Sequence, residues 1–127
     1  MIGLHKVFVY GTLLKGERNA HFLKNATCIA ERCWTLGKLY DTGYGYPAIK
    51  CSDEDRVYGE LYEVSDSELI ELDRLEDYKK GDKDNLYNRV VQPVKTGEGI
   101  TSAYVYIAAR KDLLNRRITS GDWRLNQ

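Results

Sequence analysis

The sequence predicts an α+β fold, a compact mixed β-barrel-like sheet with short flanking helices, with residues 1–127 as one domain. Three observations lead there. Strand-type patterns recur along the chain, most clearly the alternation of VYGELYEV at 57–64. One stretch, starting at Ser65, carries a full helix-start signal. No helix pattern separates each strand from the next, which argues against a doubly wound parallel sheet. A length of 127 residues suits a single core, and an apolar content of 43% can fill it.

Taken in order, KVFVYGT runs apolar until Gly11, so residues 5–10 read as a strand entering a loop. Residues 19–24 read as a short helix. From Cys28 to Tyr40, β-branched and apolar residues predict one or two strands with Gly37 as a bulge. DTGYGYP is a turn, after which Pro47-Ala48-Ile49 returns to the sheet. In the strand at 57–64, Tyr58 and Tyr62 face opposite to Val57 and Leu61. Ser65 and Glu68 then form a capping box that starts a helix running from about Asp66 to the region of Glu76. KKGDKDN at 79–85 is a polar loop, and LYNRVVQPV and ITSAYVYIAA pair as a hairpin through TGEG. In the tail, Gly121 and Trp123 close over an end of the sheet.

The bulk numbers exclude several function classes. Formal net charge is zero, although residues 53–84 hold 13 acids and 5 bases. Such a run reads as a solvated acidic face. With no basic arm interleaved with aromatics, no nucleic-acid partner is expected. No apolar run approaches the ~18 residues of a membrane span, so no membrane is expected either. MIGLHKVFVY carries His5 and Lys6 within its apolar stretch and has no cleavage pattern, which predicts a cytoplasmic protein without a signal peptide. Cys28, Cys33 and Cys51 lack metal-ligand spacing and read as reduced bystanders, so no metal and no cofactor is expected. His5 and His21 have no nucleophile motif around them.

Two places suggest chemistry. On a helix turning ~100° per residue, Glu76 falls within roughly 20° of the centre of the stripe formed by Leu69, Ile70, Leu72 and Leu75. A carboxylate on an apolar face is desolvated, paired or both, and desolvation raises its pKa toward the range a general base or acid needs. A helix ending at Leu75 would instead let Glu76 swing into solvent. The second place is Tyr10-Gly11-Thr12-Leu13, where a strand stops at a glycine and leaves amides able to hold an anion. A side chain at Gly11 would crowd that anion's approach. GTLLKGER lacks the Gly-Lys-Ser/Thr ending of a Walker loop.

FVYGTLLKG, YPAI, VYGELYEV, LDRLEDY, LYNR and GDW, in that order, resemble the γ-glutamylcyclotransferase-like proteins, closest to the small γ-glutamylamine cyclotransferase and bacterial members. The similarity spans Val7 to Trp123. It implies a mixed β-barrel with flanking helices and a small γ-glutamyl compound as partner. It also implies a substrate site at Tyr10, Gly11, Thr12 and Leu13, joined by Tyr87 of LYNR, with Glu76 as the catalytic acid/base. The implied reaction releases 5-oxoproline and a free amine from a γ-glutamyl amine or amino acid, a lyase-type intramolecular acyl transfer. A non-catalytic γ-glutamyl-binding or regulatory module on the same fold is the alternative. One departure stands out: the family often has Gly after its Glu, where this chain has Asp77, whose carboxylate either shifts Glu76 or faces water.

Overall fold

A computed structural model describes residues 3–126. Eight strands and one α-helix make up its main frame, together with three short 3-10 turns. Strands β1 (Leu4–Val9), β2 (Thr27–Leu36), β5 (Arg56–Ser65), β6 (Tyr87–Thr96) and β7 (Gly99–Ala108) close a barrel in the order β1-β5-β2-β6-β7. Its ladders are antiparallel except at the seam, where β1 meets β7 in parallel at Val7↔Tyr104. The expected α+β barrel with short flanking helices is what the chain forms.

A second sheet, not foreseen as separate, holds β3 (Lys38–Asp41) between β4 (Pro47–Lys50) and β8 (Arg116–Ile118). Gly37 divides β2 from β3 at φ 157 rather than bulging one strand. The three-residue β8 lies in a tail whose charged sequence carries no strand signal, and it is legible only from its pairing with Leu39, Tyr40 and Asp41. Trp123 is buried beyond it, as the tail's closing role requires.

The unbroken apolar run of β1 has a simple cause: both faces are covered. Phe8 points into one core cluster with Val57, Leu61 and Val105, while Val7 and Val9 point into another with Tyr62, Val64, Leu69 and Leu72. The alternation read in β5 is thus two buried faces, with Tyr58 exposed and Tyr62 buried. Gly59 is required there, since a Cβ would sit 2.0 Å from the Val9 carbonyl oxygen.

Helix α1 (Asp66–Leu75) begins as expected. The Glu68 amide donates to Ser65 Oγ at 3.2 Å, and the Ser65 amide donates to Glu68 Oε1 at 2.8 Å. Leu69 and Leu72 anchor the helix on the barrel, but Ile70 is 52% exposed and is no part of the stripe. Among the described residues no helix is long and apolar enough to cross a membrane.

Candidate active site

The helix does end at Leu75, yet Glu76 does not swing out to solvent. The reason is the form of the ending. Asp77 takes a left-handed conformation at φ 52; its amide donates to the Arg74 carbonyl at 3.2 Å and that of Tyr78 to Asp73 at 2.9 Å. This is a Schellman turn with Asp77 at the position where glycine is usual. The turn reverses the chain directly after Glu76 and leaves Glu76 lining a cavity of about 250 Å³. Asp77 itself is exposed, and its left-handed backbone is the conformation that glycine adopts most easily.

The loop that follows is closed by Asn85, the buried amide that sequence reading passed over. It accepts from the Lys79 amide at 2.8 Å and donates to the Lys79 carbonyl at 2.9 Å. The Leu86 amide then bonds Asp77 at 3.2 Å, which brings Tyr87 back beside the cavity.

Opposite lies the turn after β1. Leu14 donates to the Gly11 carbonyl and Asn19 to the Thr12 carbonyl, while Asn19 Nδ2 bonds Thr12 Oγ1 at 3.0 Å. Among the described residues nothing accepts from the amides of Gly11, Thr12 and Leu13, three residues that border the cavity. Gly11 has a different constraint from the one expected. A Cβ there would lie 2.6 Å from Cδ and Cγ of Pro47, so a side chain would displace the start of β4 before it crowded any ligand.

The turn is held from behind by a group that sequence reading also missed. Glu60, 3% exposed, accepts from the Lys15 amide at 3.0 Å, Tyr62 Oη at 2.9 Å and Arg124 at 3.0 Å. Arg124 in turn donates to the Lys15 carbonyl at 2.7 Å. Both main-chain groups of Lys15 are therefore fixed.

Tyrosines surround Glu76, and three of them point their hydroxyls elsewhere. Tyr10 donates to the Tyr106 carbonyl at 2.6 Å, Tyr87 to the Pro47 carbonyl at 2.6 Å, and Tyr106 to Asp73 Oδ1 at 2.7 Å. Asp73 is also bound by Arg89 at 2.6 Å, whose guanidinium lies over the Tyr104 ring at 4.4 Å. Burial, first of all, pushes the Tyr87 and Tyr106 phenols well above their ordinary range, followed by the neighbouring Tyr10 for Tyr87 and by the hydrogen bond to Asp73 for Tyr106. The Glu76 carboxylate accepts no hydrogen bond and forms no ion pair among the described residues. Desolvation alone pushes its pKa up to about 7.

The structure thus gathers Tyr10, Gly11, Thr12, Leu13, Glu76 and Tyr87 around one cavity. It adds Arg18, Asn19, Tyr46 and Tyr106, which sequence reading did not assign to a site. Tyr46 stood within the noted YPAI, but nothing local marks Arg18. Free thiols occur at Cys28, Cys33 and Cys51, none of which lines the cavity.

The family model described as "Gamma-glutamyl cyclotransferase, AIG2-like" matches residues 7–125. The chain belongs to this family. Among related AIG2-like proteins, the gamma-L-glutamyl-butirosin B gamma-glutamyl cyclotransferase of Niallia circulans is 38% identical over 97% of this chain and 78% of its own. A putative gamma-glutamylcyclotransferase of Halalkalibacterium halodurans is 40% identical over 80% of this chain and 90% of its own. The crystal structure of YkqA from Bacillus subtilis superposes with a TM-score of 0.79 at 33% identity, covering 98% of this chain and 41% of that one.

Proposed function

We propose that this AIG2-like chain is a γ-glutamylcyclotransferase that releases 5-oxoproline and a free amine from a γ-glutamyl amine or γ-glutamyl amino acid. The observation that carries the reading is Glu76: an unpartnered carboxylate, raised to about 7, in a cavity lined also by Gly11, Thr12 and Leu13, whose amides have no acceptor among the described residues. A group of that pKa accepts and donates protons with similar ease at neutral pH.

In the proposed reaction Glu76 takes a proton from the substrate's α-ammonium. The freed nitrogen attacks the γ-carbonyl carbon of the same molecule, and a five-membered ring closes. Tethering of nucleophile and electrophile removes the need for a covalent enzyme intermediate. The amides of Gly11, Thr12 and Leu13 face the substrate's α-carboxylate or the carbonyl oxygen as it gains charge. Glu76 returns its proton to the departing nitrogen as the old C–N bond breaks. The second proton shed by the attacking nitrogen leaves with the amine as its ammonium form. The buried faces of Tyr10, Tyr87 and Tyr106 exclude water from the folded substrate.

The test is 5-oxoproline release from γ-glutamyl amines, γ-glutamyl dipeptides, glutathione and the γ-L-glutamyl-butirosin B named for the Niallia relative. Release from at least one compound is expected. Binding of 5-oxoproline without release from any of them would overturn turnover and leave a γ-glutamyl-binding module.

A further inference from the structure

Of all the residues lining the cavity, only Glu76 and Arg18 are acids or bases of the Asp, Glu, Lys, Arg or His type. They differ in position. Tyr10, Leu13, Tyr87 and Tyr106 are buried around the cavity, Glu76 and Tyr46 are half-buried, and Arg18 is exposed, which places the guanidinium at its mouth. The Arg18 guanidinium lies across the backbone of Gly45, where a Cβ would be 3.0 Å from its Nη1. Two loops therefore meet at the rim, one bearing Arg18 and the other Tyr46. Tyr46 follows Gly45 directly in the chain, lines the same cavity, and has its ring centroid 6.2 Å from that of Tyr87. Among the described residues Arg18 has no acidic partner and the Tyr46 hydroxyl has no hydrogen-bond partner. The nearby Arg110 differs, being held by Asp112 through two bonds.

We propose that Arg18 and Tyr46 form a leaving-group subsite for a carboxylate, so that the preferred substrates are γ-glutamyl amino acids or peptides rather than simple γ-glutamyl amines. The assignment rests on the function proposed above. It matches charges one by one: Glu76 meets the α-ammonium, the loop amides meet the α-carboxylate or reacting carbonyl, and the outer guanidinium takes the remaining carboxylate. A planar guanidinium beside a hydroxyl suits bidentate carboxylate recognition. By the same charge, a polycationic leaving group is disfavoured.

The experiment compares γ-glutamylalanine with γ-glutamylethylamide, which has the same leaving-group skeleton without the carboxylate. Steady-state turnover is measured for the wild type, Arg18→Gln and Arg18→Lys. Calorimetric binding of both compounds is measured to Glu76→Gln with and without Arg18→Gln. Expected is a rise of about tenfold in KM for γ-glutamylalanine on Arg18→Gln, with kcat within about threefold and the ethylamide unaffected. That rise corresponds to ~1.4 kcal/mol. Arg18→Lys should restore part of it. An equal loss for both compounds would overturn the assignment by placing the guanidinium on the γ-glutamyl carboxylate. No loss for either would overturn it by leaving Arg18 in solvent. Absence of turnover with every compound would defeat the cyclotransferase reading, and calorimetry on the same compounds would still decide what Arg18 holds.

Discussion

Glu60 is buried and Glu76 is half-buried on a cavity wall, and the surroundings of these two glutamates differ in kind. Glu60 sits on β5 with three donors aimed at it from a loop, a neighbouring tyrosine and the C-terminal segment. Glu76 sits just past α1, ringed by tyrosines whose hydroxyls are engaged elsewhere. A folded chain buries an acid readily when it supplies partners, and the first acid is a fastener. Burial without partners costs free energy. That cost is tolerated where the group has work to do on something that arrives later.

The comparison fails most visibly if Glu76 proves dispensable. Glu76→Gln keeps shape and volume, and turnover is expected to fall by ~10²–10⁴-fold or more while ligand binding persists. Retention of more than about a tenth of wild-type 5-oxoproline release, a barrier change under ~1.4 kcal/mol, would remove its role as proton carrier.

The next effect is a pH dependence of stability. The Glu76 carboxyl rises from 4.5 to about 7 on folding, so the folded chain holds a proton that the unfolded chain has released. Stability from this group is greatest below the lower value and falls as pH rises through that window. The loss is of order 3 kcal/mol across it. Urea titrations at pH 5 and pH 8 should show this decline in the wild type and not in Glu76→Gln. Equal declines in both would mean that Glu76 is not desolvated in the folded state.

Glu60 should answer in the opposite way. Glu60→Ala strips the Lys15 amide, Tyr62 and Arg124 of a shared acceptor, with an expected loss of about 2 kcal/mol, moderated because Arg124 reaches solvent. Turnover at saturating substrate should change less than about tenfold. If it collapses while the protein melts normally, Glu60 is no fastener.

The smallest effect belongs to Asp77. Its left-handed backbone suits glycine, so Asp77→Gly should raise stability by ~0.5 kcal/mol with turnover retained. A melting temperature that drops by several degrees would point to an unrecognised use of the carboxylate.

Local patterns made much of this legible from sequence. The capping box at Ser65, the TGEG hairpin and the strand ending at Gly11 are short-range signals, and each appears where expected. Glu76 could be singled out because its facing departs from its neighbours' charge pattern. Helical facing alone is not enough even there: Ile70 shares the apolar stripe by angle yet is exposed, and it is the turn at Asp77 that keeps Glu76 inward. Arg18, Glu60 and Asn85 were illegible for a common reason. Glu60 and Asn85 are defined by partners, Arg18 by a missing one, and those relations arise only when distant segments meet. β8 is the same case in backbone form, a strand only because β3 lies beside it.

The parallel seam of the barrel has a kinetic consequence. Val7 meets Tyr104 across most of the chain's length, whereas β6 and β7 are joined by a two-residue turn. Closing a long loop costs entropy before the contact returns anything, so the hairpin should zip early and the seam close late. The Tyr10 hydroxyl bridges to β7 on the same side of that seam, between two walls of the cavity. Pulsed hydrogen exchange during refolding should therefore protect the β6–β7 amides before those of β1, and affinity for 5-oxoproline should return with β1. If affinity returns while β1 is still exchanging freely, the pocket does not depend on the seam. Otherwise the ability to bind is the last thing the folding chain acquires.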